Sequence, residues 1–508
     1  MAMECLELSA QEPPHTSTFL IHPDRLTFFG ESTYFSLNPG HEVRLTGRVD
    51  GLETELVLLA TNEDSSVVIE AGGIRRAIPC RFVEERLVQN GNAISLLRYL
   101  LSRDAVTHDL YLFGEDEGLL QNGELQEFKP LWRAGQAEGT AGLWLPNQFL
   151  LGSRYIQGQS PSIVRRAENL DQGASIETPF GQLENTSTVR MSRIRNQEQL
   201  TRDWHFAPGI GLVAMDNTLT LKELRLGTQG IPKGAHFVPL SHHRYFPIVP
   251  GLTTKIEGVE DFLDTVVETQ VLDEVRHIDL LVAGTVQSIE TRVVEVREYV
   301  NGDLFELGRA YYAQCIETAD VYIFGEDVQI FLENGDVVVE GDSWLAGQDG
   351  AEAGIIMPGN LTIGATHQQE RVPEESLNEV TTLSTTDSIT VPAGSFTDCL
   401  RLVEHSLEFP DETPSIKVYA PGIGLVDDEG ILKLTSMSGP GINKTPMLQI
   451  ETAIRISWAS TVAEYELESS YNAIQWNAAP IQSRRTNTGF EAFITADSPR
   501  QFFRLGTE

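Results

Sequence analysis

One octapeptide occurs twice in this chain, and its recurrence limits the available folds more than any other feature. Tyr419-Ala-Pro-Gly-Ile-Gly-Leu-Val426 repeats Phe206-Ala-Pro-Gly-Ile-Gly-Leu-Val213. Each copy holds a Pro-Gly pair, Pro208 with Gly209 and Pro421 with Gly422. Such a pair makes a tight reversal, because proline presets the first turn angle and glycine accepts the positive one. Gly211 and Gly424 leave room for a bulge or a close backbone approach, and Leu-Val then begins a strand.

The surroundings of the two octapeptides match as well. Tyr34-Phe35 with Pro39-Gly40 is answered by Tyr245-Phe246 with Pro250-Gly251, an offset of 211 residues (34 to 245). Leu110 to Asp116 matches Val321 to Asp327 at the same offset, with Phe-Gly-Glu-Asp common to both. After an insertion Trp132 pairs with Trp344 at 212, and Gly209 with Gly422 at 213. Landmarks at nearly constant spacing imply a tandem duplication.

Local signals are those of β-structure. Asn-Gly at residues 90, 122, 301 and 334 marks hairpins. The segment Thr291 to Val300 is rich in β-branched residues and alternates imperfectly. Leu96 to Leu101 has a helical look, but its counterpart, Leu307 to Tyr312, reads as a strand. The expectation is an all-β, mainly antiparallel chain: two homologous curved-sheet or barrel-like domains and a small C-terminal β-sandwich. Its boundaries fall at a polar tail (1–20), copy one (21–228), a linker (229–243), copy two (244–438), a second linker (439–446) and the terminal module (447–508).

With 37 basic against 73 acidic residues the formal charge is −36. Nucleic acid is excluded as a partner, since phosphate binding needs clustered Lys and Arg. No run approaches the length of an apolar membrane span. The start, Met1 to Cys5, lacks the basic and apolar regions of a signal peptide. The cysteines nevertheless favour an exported protein whose signal has been removed.

The second copy resembles a family of uncharacterised secreted bacterial β-rich proteins. Its resemblance rests on Tyr322 to Asp327, Ser343 to Gly347, Gly354 to Pro358, Thr390 to Phe396, Cys399 and Tyr419 to Val426. The terminal region is similar to short β-sandwich modules on secreted proteins of planctomycetes and verrucomicrobia, through Trp458, Tyr465 to Ser469, Trp476 and Arg500 to Leu505. These likenesses imply fold and export, an extracellular, cell-surface or periplasmic location, and no particular chemistry.

Cys315 and Cys399 stand where copy one has Asp104 and Thr186. Joint presence in one copy and joint absence in the other predicts a Cys315–Cys399 disulfide, with Cys5–Cys80 as a second pairing; both require an oxidising compartment. Glu326, Asp327, Asp336, Asp342 and Asp349 lie in one loop-rich stretch, the hard-oxygen ligand type that calcium takes, although no EF-hand spacing is present. No cofactor is otherwise implied. Ser241-His242-His243-Arg244 falls in the linker, and His205, His367 and His405 show no ligand spacing. Nucleophile-elbow, phosphate-loop and dinucleotide fingerprints are absent. The matched residues are turn formers and apolar residues, which build scaffolds. The expected function is non-catalytic binding, adhesion or envelope organisation, with a protein, glycan or apolar ligand. The alternatives are an apolar-ligand carrier and a secreted polysaccharide or ester hydrolase with its site between the copies.

Overall fold

Turn chemistry sets the strand boundaries. Asp50-Gly51, Asn90-Gly91, Asn122-Gly123 and Asn301-Gly302 all take positive φ, the requirement of a two-residue hairpin whose twist matches its strands. The computed structural model describes residues 14–227, 230–282, 284–332, 337–338, 343–373 and 376–440, together with the backbone of six strands beyond residue 452. Among these residues all regular structure is strand, apart from one 3₁₀ turn at Pro23–Arg25. Among the described residues no helix is long and apolar enough to cross a membrane. The chain divides into two compact units, Met1–Asn443 and Lys444–Glu508.

In the first half of the larger unit the antiparallel ladders close on themselves. They run Glu42–Val49, Leu52–Ala71, Ile74–Gln89, Asn92–Asp104 and Leu110–Gln121. Thr140–Leu145, Arg154–Gln159, Ile163–Thr178, Gly181–Arg195 and Glu198–Ala207 follow. Gly211–Met215 and Leu219–Leu226 return the ring to Glu42–Val49. Closure removes the exposed sheet edges that invite aggregation. The segment Leu96 to Leu101, helical in appearance, lies within a strand whose neighbours on both sides supply its hydrogen bonds.

The second half runs through the same succession, from Thr253–Glu260 to Leu432–Ser438, and these two strands pair with each other. One link in its ring is a single bridge, Glu352 to Arg371. Details recur at the spacing of the sequence landmarks. The strand Leu52–Ala71 breaks register between Ala60 and Asp64, and Leu263–Val282 does so between Val271 and Val275. Residues 237–248, largely within the stretch read as linker, carry the strands Phe237–Val238, Ser241–His242 and Pro247–Ile248. Phe237 pairs with Cys315 as Leu26 pairs with Asp104.

The octapeptide turns are held by the other matched landmark. Gly209 donates its N–H to the Thr33 carbonyl at 2.9 Å, and Gly422 donates to the Arg244 carbonyl at 2.6 Å. Gly211 and Gly424 have φ of 111° and 106°, which disfavours any residue with a Cβ. The turn therefore pins the segment carrying Tyr34 or Tyr245. Each tyrosine hydroxyl then ties a bulged hairpin, Tyr34 through Ser187 Oγ at 3.1 Å and Tyr245 through the Asp398 carbonyl at 2.8 Å.

Other matched glycines mark close strand crossings. A Cβ on Gly142 would strike the Ile156 carbonyl, and one on Gly354 the Gln369 carbonyl. Because the obstacle is backbone, it cannot swing aside. Gly354→Ala is expected to cost about 1–3 kcal/mol, read as a lowered denaturation midpoint at unchanged slope. No change in midpoint would show that the crossing yields.

Trp144, Phe113, Phe206 and Tyr99 fill the interior of the first half. Trp144 meets Phe35 edge-on, with ring centroids 5.1 Å apart. The smaller unit contains two three-stranded antiparallel sheets. One joins Ala453–Ala459, Gly489–Thr495 and Arg484–Arg485; the other joins Tyr465–Ser470, Phe502–Thr507 and Asn477–Ala478. Trp476 and Arg500 lie outside the described residues.

Candidate functional site

The two halves meet along a polar seam. At its centre the strands Leu219–Leu226 and Thr366–Val372 pair in parallel, Arg225 opposite Thr366 and Leu226 opposite His367. Arg225 Nη1 reaches Glu379 at 2.9 Å, and Asn360 Nδ2 donates to Glu31 Oε2 at 3.1 Å. Beside the parallel pair lies a cleft of about 410 Å³, bounded by Glu42, Asn62, Arg225, Thr366, His367 and Glu379.

Two groups distinguish this cleft. His367 is buried, and its Nε2 has no hydrogen-bond partner among the described residues. Thr366 Oγ1 is likewise buried and without a partner among the described residues. A buried polar atom left unsatisfied costs free energy, so its presence calls for an explanation. Burial lowers the His367 imidazole to about 3, which leaves the ring neutral at physiological pH. A neutral imidazole offers one donor and one acceptor. The charged neighbours are already engaged: Glu42 pairs with Arg44 at 2.7 Å, and Glu379 with Arg225.

A second polar cluster lies inside the first half. Glu115, fully buried, receives Arg165 Nε at 2.7 Å and Nη2 at 3.1 Å, with Arg193 Nη2 at 2.9 Å. Burial alone would raise the Glu115 carboxyl; Arg165 and Arg193 outweigh it and hold the group below its ordinary value. Glu85 and the Tyr99 hydroxyl share a short hydrogen bond beside this cluster, and burial raises both groups. Within the cluster the Glu115 carboxylate is balanced by the two guanidinium groups.

The disulfide expectation is corrected. Cys315 and Cys399 are free, buried thiols in separate apolar clusters, and Cys80 is also free and buried; Cys5 lies outside the described residues. A free cysteine packs as a small apolar side chain. Cys315 occupies the turn position of Asp104, whose carboxylate accepts the Val106 N–H at 2.8 Å, while Cys399 replaces a threonine bonded to the Ala174 carbonyl. Each change is a local one.

Of the acidic stretch, Asp327 and Asp349 line one cleft of about 270 Å³ together with Arg276 and Trp344. Asp327 binds Arg276 at 2.8 Å and the Tyr311 hydroxyl, whereas Glu326 is opposite Trp344 on the adjoining strand. Asp349 sits in a turn with positive φ; Asp336 and Asp342 lie outside the described residues. Among the described residues no group of three or more His, Cys, Asp or Glu is arranged to hold a metal. His243 accepts the Tyr245 N–H at Nδ1 (3.2 Å), so its Nε2 donates to the Pro358 carbonyl (3.0 Å), a satisfied structural histidine. His205 bonds Thr188 across the strands at 3.0 Å.

Sequence reasoning passed over Thr366, and it dismissed His367 for want of ligand spacing. The signal open to it was asymmetry: at these positions the first half carries Arg154 and Tyr155. Fold and seam together define an all-β chain with a polar cleft between two halves. Comparison with protein-family models, curated proteins and solved structures finds no match in any of the three.

Proposed function

We propose that this chain is a non-catalytic binding protein of the cell exterior, secreted or surface-held, whose two halves arose by tandem duplication. Its ligand occupies the seam cleft. The observation that carries this reading is the pair of buried groups on the cleft wall without a partner among the described residues, Thr366 Oγ1 and His367 Nε2. With His367 neutral and the flanking carboxylates already paired to arginine, the cleft suits an uncharged, hydroxyl-rich ligand such as a glycan segment. An apolar carrier has less support, because bulky side chains such as Trp144 and Phe113 occupy the first half's interior. Export rests on the resemblance of the second copy to secreted proteins.

The test is a thermal-shift and calorimetric screen of the full chain against neutral oligosaccharides. At least one should raise the melting temperature, and His367→Leu should weaken its binding about tenfold. A panel without effect, or binding indifferent to His367, overturns the cleft assignment. Turnover of chromogenic glycosides or esters by the purified chain overturns the non-catalytic reading.

A further inference from the structure

At one end of the second half three turns lie together, and the most exposed large apolar side chain of the described residues sits on one of them. The hairpin joining Thr253–Glu260 to Leu263–Val282 turns through Asp261 and Phe262, with φ of 48° and 70°. Two consecutive positive φ values define a turn that strongly prefers glycine at its second position. The first half obeys this rule with Asp50-Gly51 at the matching place. The second half instead holds a bulky residue in the left-handed region, where a Cβ is penalised.

Phe262 gains no packing among the described residues in return. Its side chain is 99% exposed, and Val259 and Leu263 beside it are 60% and 42% exposed. The neighbouring turn is tied in: Asn301 donates its N–H to the Asp264 carbonyl at 2.8 Å, and Asp264 donates to Asn301 Oδ1 at 3.2 Å. Gly258 approaches the Ile431 carbonyl, which brings the third turn alongside with Ile431 exposed. Around this apolar tip stand the exposed carboxylates Glu260, Asp261, Asp264, Asp303 and Glu429. Residues 258–264, 299–303 and 428–432 contain no lysine or arginine. Burial first, and Glu260 second, raises the nearby Glu298 carboxyl, consistent with crowded negative charge.

The left-handed φ of Phe262 costs stability, and the exposed ring returns none of that cost through packing. Burial of the ring in a partner's pocket would offset that backbone cost. We propose that the Phe262 tip is a docking point for a second protein that offers an apolar socket bordered by basic side chains. The aromatic ring would be the anchor, in the manner of interface hot spots, and the carboxylates would set orientation and encounter rate. Anionic bilayers fit poorly, since the same carboxylates would face the headgroups.

The experiment compares the full wild-type chain with Phe262→Gly. The probe is a synthetic amphipathic peptide of leucine and lysine, which presents an apolar face edged by cations. Wild type should bind it in a salt-sensitive manner, and Phe262→Gly should bind at least tenfold more weakly. The same substitution should raise the melting temperature by a few degrees, because glycine accepts the left-handed φ. Loss of binding with gain of stability is an outcome that simple misfolding cannot produce. Equal affinity of the two proteins, absence of wild-type binding, or a lower melting temperature for Phe262→Gly each overturns the proposal. Phe262-dependent binding to phosphatidylcholine vesicles in place of the peptide overturns it in favour of a lipid surface. The seam cleft is unaffected by this substitution, so failure here leaves the glycan assignment standing.

Discussion

Replacing Arg165 by methionine is expected to destabilise the larger unit by about 3–5 kcal/mol, because it strips a buried carboxylate of its main partner. Glu115 would keep Arg193 at 2.9 Å but lose both bonds to Arg165. Burial, which already raises the adjacent Glu85, would then raise Glu115 as well. The pH dependence should invert with it. In the wild type the Glu115 pKa is depressed on folding, so its contribution is full above the ordinary carboxylate value and fades as the pH falls. In the variant a raised pKa makes the contribution largest at low pH and loses it as the pH rises. Urea midpoints measured from pH 5 to 8 would therefore climb on acidification in Arg165→Met relative to wild type. Arg165→Lys, which keeps the charge but not the two-pronged geometry, should fall between them. A loss under about 1 kcal/mol, or parallel pH profiles, would mean that the cluster is not the electrostatic keystone its geometry indicates.

That cluster also shows where sequence reading stopped. Positive-φ turns are written locally, so Pro208-Gly209, Asn90-Gly91 and their partners were legible, and with them the all-β class. The constant spacing of those turns conveyed the succession of strands. Glu115 matches Glu326, and this was visible too. Its partners were not, because Arg165 and Arg193 arrive from strands far along the chain, and the second half has Asn378 and Ser406 in their places. The cysteine inference failed for a related reason. Two independent swaps of small buried residues mimic a coordinated pair when only presence and absence are compared. The parallel pairing of Arg225 with Thr366 has no local signature at all, so a cleft built on it could not be read from periodicity. Phe262 was in plain view; what gives it meaning is its φ, which only the backbone discloses.

Acid should unfold the larger unit well above the pH at which ordinary carboxylates titrate, and the buried histidines His367 and His41 are the main causes. His41 is buried, edge-on to Phe35 with ring centroids 5.8 Å apart, and a hydrogen bond to the Ile210 backbone only partly offsets the effect of burial. Burial lowers its imidazole to about 4. An unfolded chain accepts this proton near the ordinary histidine value of about 6.5. Between those limits the unfolded state binds more protons, so stability falls as the pH falls, by about 1.4 kcal/mol per pH unit for one such group. Over the full window His41 alone would remove on the order of 3 kcal/mol. His367 acts in the same direction, whereas Asp320, raised to about 6 by burial, works against both. Asp320 favours the folded state when protonated, and that contribution is lost as the pH rises through its folded value. The His41 share is isolated by His41→Leu, since the second half carries the buried Leu252 at the matching position. The variant should be as stable as wild type or more so at pH 7, with an acid limb shallower by nearly one proton between pH 6.5 and 4. Superimposable limbs would show that the ring reaches solvent readily enough to be charged in the folded chain.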